Sequence, residues 1–280
     1  IKKISKKIIF YHVPKCGGTT FCNILSNITN SSARIHGSPT GERETNSAYK
    51  NFITNKNLYL KKNIDFIFGH FQYSISEYFP KRLSITILRD PIERCISHFN
   101  MVVERKYVHK NTSIETCFKK NLIPSNIITQ IFSGMNNNDI NISERKLNIA
   151  SDIILNKIDL VFDIQYINEL LNLVISLYNL PNIFFQKLQQ TRKNYFVSNS
   201  KNIEIIKKYN EYDLELYSRF KINNTHILNK NSNFKRKKNE YFLYVQDFKI
   251  NNNYRAMVNI KHFHKIEKML LLKDLKIIEI

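Results

Sequence analysis

The chain has 280 residues, 42% of them hydrophobic, which suits one sizeable core with an appendage better than two equal domains. No stretch approaches the ~20 apolar residues that cross a bilayer, so this sequence predicts no membrane span. With 43 Lys and Arg against 23 Asp and Glu, the formal net charge is +20. That balance favours anionic partners, such as nucleic acid, phosphate-bearing cofactors or acidic polysaccharide, although the composition of an AT-rich genome explains it equally well.

The first elements in the chain are a strand, a glycine-rich loop and a helix. Residues 8–11 are a short apolar run typical of a buried strand, and the loop VPKCGG follows. Thr19 is placed to cap the next helix, over residues 21–28. Residues 30–63 are polar and poorly periodic, and we expect a long loop there with some helix.

Strands and helices then alternate. Further strands are predicted at 64–69, 83–88 and 160–164. Residues 112–156 favour helix in three pieces, and a charged helix covers 204–220. This alternation predicts an α/β fold with a mainly parallel sheet. Ligands of such sheets bind beyond the carboxyl ends of the strands, where the stretches PKCGGTT, GH and LRDP all lie.

The four cysteines show neither a CxxC pair nor the spacing of zinc ligands. They are Cys16, Cys22, Cys95 and Cys117. The pattern therefore predicts neither a disulfide framework nor a metal site. The sequence starts at Ile1 and not at a methionine, so it stays open whether a further segment precedes it.

PKCGGTT has the composition of a phosphate-binding loop. A glycine pair lets successive backbone N–H groups point into one concavity, and a helix N-terminus favours an anion. Thr19 and Thr20 add hydroxyl donors. The structural alternative is a glycine-rich turn at the start of a helix.

Lys15 precedes the glycines, whereas the P-loop pattern GxxxxGK[ST] has its lysine after them. A lysine in this place would lie beside the group attached to the bound phosphate. It would neutralise charge on a leaving-group oxygen without a metal. The pattern also lacks an obvious acidic residue closing a strand to hold Mg²⁺, which disfavours ATPase and kinase activity.

LRDPIERCISHF predicts a second phosphate site. Arg89 directly follows a strand, and Ser97 lies on a helix that Pro91 starts. A guanidinium and a hydroxyl that converge from a strand end and a helix suit an isolated phosphate. The alternative is that Arg89 and Asp90 form a structural ion pair at the turn.

Both motifs, in this order, resemble those of the sulfotransferase superfamily. PKCGGTT is similar to its 5′-phosphosulfate loop and LRDPIERCIS to its 3′-phosphate motif, and weaker similarity continues through FGHF, NIITQIFSG and YNEYDLELY. The branch it most resembles is that of the carbohydrate sulfotransferases, including heparan sulfate 2-O-sulfotransferase and bacterial relatives. The likeness covers roughly residues 7–220 and implies a P-loop-like sulfotransferase fold. The polar, basic stretch NKNSNFKRKKN then predicts a division into a sulfotransferase domain at 1–228 and a C-terminal extension at 229–280, which we expect to pack on the same domain.

The resemblance also implies roles for individual residues. The 5′-phosphate of 3′-phosphoadenosine 5′-phosphosulfate (PAPS) would be held by backbone N–H groups of Cys16, Gly17, Gly18, Thr19 and Thr20. Lys15 would contact the bridging oxygen and the sulfuryl group. Arg89 and Ser97 would hold the 3′-phosphate, which distinguishes PAPS from ATP. TRKN, with Thr191 and Lys193, loosely matches the late loop that closes over the cofactor, without the glycine-containing pattern of the cytosolic branch.

The implied activity is transfer of the sulfuryl group to an acceptor hydroxyl, with release of adenosine 3′,5′-bisphosphate and no metal required. The implied acceptor is a poly- or oligosaccharide or a glycolipid, not a nucleic acid. A bacterial protein would act in the cytoplasm, and a eukaryotic one with an N-terminal anchor in the Golgi lumen. Two alternatives stay open: a P-loop-type nucleotide kinase and a non-enzymatic polyanion-binding protein.

Sulfuryl transfer needs a base for the acceptor hydroxyl, and histidine suits this role because its pKa lies near neutral. His70 ends the strand at 64–69, at the same sheet edge as Lys15. FGHF resembles the glycine–histidine catalytic position of the family. We therefore predict His70 as the base, with Glu77 as the fallback. The alternative is a capping or core histidine beneath the loop.

The other histidines have no predicted chemical role. His12 is expected inside the first strand as a structural residue. His98 follows Ser97 on its helix and is expected to point elsewhere, about 100° round the axis. His262 and His264 would share one strand face, but no third metal ligand lies nearby.

Overall fold

The structure is a computed structural model that describes residues 7–35, 44–61, 64–134, 143–178, 184–185, 194–230 and 243–244. Its strands are β1 (Lys7–Tyr11), β2 (Ser32–Ile35), β3 (Phe66–Gly69), β4 (Arg82–Leu88), β5 (Leu160–Asp163), β6 (Phe184–Phe185) and β7 (Leu243–Tyr244). Its helices are α1 (Gly18–Ile28), α2 (Glu44–Thr54), α3 (Lys56–Tyr59), α4 (Pro91–Glu104), α5 (Ile114–Lys119), α6 (Ile127–Ser133), α7 (Glu144–Asp152), α8 (Ile167–Tyr178), α9 (Ser200–Tyr209) and α10 (Glu211–Lys230).

Five strands form one wholly parallel sheet in the order β2-β3-β1-β4-β5. Helices flank it, which confirms the predicted α/β fold. The central strand β1 is buried on both faces, and a strand in that place must be almost wholly apolar, as IIFY is. Tyr11 lies opposite Gly69 of β3 on one side and Thr86 of β4 on the other. The chain therefore leaves β1, β3 and β4 at the same edge of the sheet.

The region 30–63 is more ordered than the predicted long loop. It contains the edge strand β2 and the helices α2 and α3. β2 is only four residues long, and two of them, Ser32 and Arg34, are exposed. Its partner β3 supplies the stabilising hydrogen bonds, with Ala33 opposite Ile67. Pairing in three dimensions, and not an apolar pattern, makes this segment a strand.

The other predicted elements fall where expected. The three helical pieces within 112–156 are α5, α6 and α7, and the helix predicted at 204–220 is divided into α9 and α10. The predicted boundary between residues 228 and 229 falls inside α10. Of the extension beyond it, the strand β7 is described, and it pairs with β6. In the described part of the chain, no helix is long and apolar enough to cross a membrane.

Apolar side chains form two clusters. The larger surrounds the sheet and includes Phe10 of β1, Leu25 of α1 and Phe220 of α10, all almost fully buried. The smaller lies among α4, α5 and α9, and includes Phe99 and Ile206. All four cysteines are free and buried, in agreement with the absence of a predicted disulfide. The apolar side chains of helix α4 belong to the smaller cluster, and the helix begins three residues after β4 ends, beside the carboxyl edge of the sheet.

Candidate active site

The predicted site residues in the described part of the chain follow three adjacent strands. Lys15 to Gly17 lie between β1 and α1, His70 directly follows β3, and Arg89 directly follows β4. Ser97 lies on α4, which Pro91 starts as predicted. The parallel register therefore brings the three motifs to one edge. Thr191, Lys193, His262 and His264 lie outside the described residues.

The loop takes a sharp turn with two residues in the left-handed region. Gly17 has φ 78°, and a Cβ there would lie 3.1 Å from the Ile164 side chain. Lys15 has φ 67°, a conformation that is uncommon and unfavourable for a residue with a side chain. The N–H of Cys16 donates to Val13 O at 3.3 Å, which closes the turn. The turn therefore requires glycine at position 17, whereas the left-handed conformation of Lys15 costs conformational free energy.

Helix α1 starts at Gly18 with Gly17 as its N-cap, so the predicted cap at Thr19 is wrong. Gly17 as the N-cap makes no side-chain hydrogen bond to this end, and no acidic residue lies in the first turn. The first N–H groups of a helix lie outside its ladder of hydrogen bonds, and the helix dipole gives them a partial positive charge. This end of α1 can therefore receive an anion.

Lys15 is half-buried among cations. Burial lowers the pKa of its ammonium group, and the nearby Arg105 and Arg89 guanidinium groups lower it further. The charge of Lys15 is thus disfavoured in the absence of an anion. An anion bound at the loop would reverse this penalty.

Arg89 connects the two motifs. Its Nη1 donates to the backbone oxygen of Lys15 at 3.4 Å, and its Nε lies 3.2 Å from Glu93 Oε2. Asp90 instead caps α4, accepting from the N–H groups of Ile92 and Glu93 at 2.9 and 3.0 Å. The structural alternative of an Arg89–Asp90 ion pair is therefore wrong. Arg89 supports the left-handed turn at Lys15 from the neighbouring strand.

His70 is held by the residue that follows β1. Its Nδ1 lies 2.5 Å from the backbone oxygen of His12, and the N–H of His12 donates to Gly69 O at 3.0 Å. The two imidazole rings are 4.3 Å apart between centroids, tilted by 34°. His12 therefore lies after β1, not inside it as predicted, and it contacts the predicted base.

His98 is buried on α4, and its surroundings differ from the prediction. Burial, and after it the charges of Arg94, Lys15, His70 and Arg105, together lower its pKa to about 3. Its Nδ1 has no hydrogen-bond partner among the described residues. His98 thus lies within electrostatic reach of Lys15 and His70 as a neutral imidazole.

A buried polar network lies behind the loop, and no local sequence pattern predicts it. Arg94 is fully buried, and its Nη2 donates to Asn210 Oδ1 at 3.0 Å and to Pro124 O at 3.2 Å. Burial raises the pKa of the Cys16 thiol to about 12, although the charge of Arg94 opposes the rise. Cys16 is therefore an uncharged thiol, which agrees with a backbone role.

Helices α6 and α10 cap each other next to this network. Asp213 of α10 accepts from the N–H groups of Ile128 and Thr129 at 3.0 and 2.8 Å. Asn126 Oδ1 in turn accepts from the N–H groups of Tyr212 and Asp213, at 3.0 and 3.1 Å. These are the stretches NIITQIFSG and YNEYDLELY. Their weak family likeness was the only signal for them in the sequence.

The end of the predicted late loop is tied to α4. Asn194, the last residue of TRKN, accepts from Asn100 Nδ2 at 2.9 Å. Asn100 Oδ1 accepts from the N–H groups of Tyr195 and Phe196 at 2.8 and 3.0 Å. Asn100 is three residues beyond Ser97, so the described end of this loop lies one helical turn from Ser97.

Two acidic residues bear on the alternatives. Glu77, the fallback base, is exposed in a 3₁₀ turn at Tyr73–Tyr78. Asp163 is the last residue of β5. It is an acidic residue at the end of a strand, which the sequence was predicted to lack. Its carboxylate accepts from Tyr217 Oη and lies 3.1 Å from Lys221 Nζ. Among the described residues no group of three or more His, Cys, Asp or Glu side chains could hold a metal ion.

A comparison with protein families gives one match. The family model described as "Sulfotransferase family" matches residues 3–221, which contain every element from β1 to α9 and the first half of α10. A search of the curated proteins found no match.

Proposed function

Because the chain belongs to the sulfotransferase family, we propose that it transfers the sulfuryl group of PAPS to a hydroxyl group of a carbohydrate acceptor. The observation that carries this proposal is the meeting of Lys15, His70 and Arg89 at one sheet edge, where parallel pairing of β1, β3 and β4 aligns their carboxyl ends. PAPS would supply the sulfuryl group and leave as adenosine 3′,5′-bisphosphate.

The loop fits a phosphate group on its own geometry. The N-cap of α1 makes no side-chain hydrogen bond, and the cations Arg89 and Arg105 lie near Lys15 in the loop before it. Backbone N–H groups at Gly17, Gly18 and the threonines after them would hold the 5′-phosphate. The N–H of Cys16 contributes less to this binding, because it already donates inside the loop.

Lys15 would stabilise the charge that develops on the leaving oxygen. A well-placed donor to developing charge contributes roughly 3–4 kcal/mol to the transition state. Arg89 and Ser97 would hold the 3′-phosphate, and Thr191 and Lys193 would close over the nucleotide. The anchoring of Asn194 by Asn100 supports this last role, because it brings the loop end close to Ser97.

His70 would take the proton of the acceptor hydroxyl. A carbonyl oxygen only accepts hydrogen bonds, so the contact with His12 O requires the proton on His70 Nδ1. In the neutral ring, Nε2 then carries the lone pair that a base needs. Its half-buried position after β3 favours His70 over the exposed Glu77.

The nucleotide preference tests the donor. We expect calorimetry with adenosine 3′,5′-bisphosphate, without Mg²⁺, to show micromolar binding and ATP with Mg²⁺ to bind much more weakly. A preference for ATP with Mg²⁺ would indicate the nucleotide kinase. Binding of neither nucleotide would indicate the polyanion-binding protein.

Labelled PAPS tests the acceptor. Incubation with a panel of polysaccharides, glycolipids and small hydroxylated metabolites should place the label on a carbohydrate. Label on a non-carbohydrate hydroxyl would keep the sulfotransferase activity and reject the acceptor class.

A further inference from the structure

The side chain of His12 lies between the proposed base and the phosphate loop. On one side its ring contacts the ring of His70, with the centroids 4.3 Å apart. On the other side it covers Gly18, the first residue of α1, where a Cβ would come within 2.5 Å of His12 Nε2. Phe10 stacks on the same ring at 5.6 Å and 26°. The ring therefore occupies a slot that only glycine at position 18 leaves open.

The backbone of His12 holds the segment Gly69–His70 at two points. Its N–H donates to Gly69 O, which continues the pairing of β1 and β3 by one residue, and its carbonyl accepts from His70 Nδ1. In water, nothing would select this tautomer of an exposed histidine. The hydrogen bond between His70 Nδ1 and His12 O lasts only while the His70 ring is oriented so that Nδ1 faces the carbonyl oxygen. The His12 ring, packed against one face of His70, limits that rotation.

The His12 ring stays uncharged. Burial lowers its pKa well below the ordinary value, and the charged groups that face it act in the same direction. These groups are His70 after β3, Arg34 of β2 and Lys15 of the loop. A neutral ring adds no positive charge beside His70, and such a charge would oppose the uptake of a proton.

We propose that His12 is a positioning residue: its ring holds His70 in the orientation that keeps the proton on Nδ1 and leaves Nε2 as the base. This inference rests on the proposed function for its catalytic meaning. The geometry also connects the proposed base to the phosphate loop, because the His12 ring contacts both His70 and Gly18.

The first test reads the tautomer of His70 directly, by nitrogen-15 NMR of the histidine-labelled full chain without nucleotide. The His70→Ala variant assigns the signal. We expect His70 to hold its proton on Nδ1 in the parent protein. In His12→Ala, a large share of the His70 rings should carry the proton on Nε2 instead. In His12→Phe, which restores a flat ring at position 12, the proton should stay on Nδ1. An unchanged His70 signal in folded His12→Ala would overturn the inference.

The second test is a double-mutant cycle on turnover with PAPS. His12→Ala should lower kcat about tenfold or more, as expected when a catalytic group is misplaced, with a much smaller change in KM for PAPS. In a His70→Ala background the same substitution should cause no further loss. Equal losses in both backgrounds would overturn the inference, since His12 would then act independently of the base.

His109 provides a matched control, because it is an exposed histidine away from the strands. His109→Ala should change neither the His70 signal nor kcat. If the parent protein transfers no sulfuryl group at all, the proposed function fails. The NMR result still decides whether His12 positions His70.

Discussion

Individual side chains at the carboxyl edge of the sheet divide into cations and neutral imidazoles. Lys15 and Arg89 supply positive charge, while the environment keeps His12 and His98 uncharged. Burial is the main cause of the lowered pKa of both histidines, and Lys15, a cation that suits a phosphate, lowers both values further. Substitutions at these positions should separate binding from turnover.

Lys15→Ala should lower kcat by about a hundredfold or more, because one donor to developing charge is lost.

Arg89→Ala should chiefly raise KM for PAPS. The increase should be about tenfold or more, which corresponds to the free energy of a charge-assisted hydrogen bond. Steady-state kinetics at varied PAPS measures both. Lys81→Ala, at an exposed lysine before β4, is the control. The assignment of roles is wrong if Lys15→Ala changes only KM.

His98 should make stability depend on pH. The folded protein holds its pKa at about 3, below the ordinary value of about 6.5 in the unfolded chain. Its contribution is therefore complete above pH 6.5 and declines as the pH falls towards 3. Between pH 7 and 5 the free energy of unfolding should drop by about 2 kcal/mol more than in His98→Phe.

Urea unfolding at the two pH values measures this difference. His109→Phe, which replaces an exposed histidine, should retain the pH dependence of the parent protein. Parallel curves for His98→Phe and the parent protein would show that His98 takes up its proton in the folded state.

At the level of elements, the site depends on contacts between segments far apart in the sequence. Helix α4 carries Arg94 to Asn210, and it carries Asn100 to Asn194, the last residue of TRKN, and to the two residues that follow. Asp213 belongs to the same polar network. Burial raises the pKa of its carboxyl group, and the charge of Arg94 partly offsets this rise. The network fixes α4 against α6 and α10 behind the loop.

Asp213→Ala should destabilise the fold strongly. It removes the acceptor for two backbone N–H groups of α6 and leaves the buried Arg94 without a nearby carboxylate. Each buried donor left without its acceptor costs about 1–3 kcal/mol, so the loss of both should reach several kcal/mol. Glu211→Ala, at an exposed residue in the same helical turn, should have little effect. Equal urea midpoints for the two variants would contradict the structural role of Asp213.

The elements also show why the sequence predicted some segments and missed others. β1 and β4 are short, mostly buried strands rich in apolar and β-branched residues. Asp90-Pro91 marks the start of α4 through local capping. β2 has no such pattern, because an edge strand exposes half of its residues. Thr19 was a plausible cap by residue type, but the backbone turn at Gly17 places the N-cap of α1 two residues earlier.

The molecule as a whole has its described core within the part that matches the family. Both apolar clusters consist of residues from 8 to 220, and the match ends at 221. The order of motifs was sufficient to predict the fold and the meeting of three loops, because parallel strands align their ends. The contact of His12 with His70 and the Arg94 network depend on register and long-range packing. No local pattern encodes them.

Truncation after Lys230 tests the predicted division of the chain. We expect the shortened protein to unfold cooperatively and to bind adenosine 3′,5′-bisphosphate as tightly as the full chain does. The truncation ends at the last residue of α10 and removes the partner of β6. Calorimetry with the nucleotide and thermal unfolding measure the result. Loss of cooperative unfolding would show that residues 231–280 are integral to the domain.

The reciprocal capping of α6 and α10 has a consequence for motion. If the first turn of α6 opens, Asp213 loses its donors, and the helix that holds Asp213 loses Asn126 as its own cap. Neither helix end can fray alone, so the amides of Ile128, Thr129 and Tyr212 should exchange with solvent as one cooperative unit. Residues more than eighty positions apart in the chain would thus share a single opening event behind the phosphate loop.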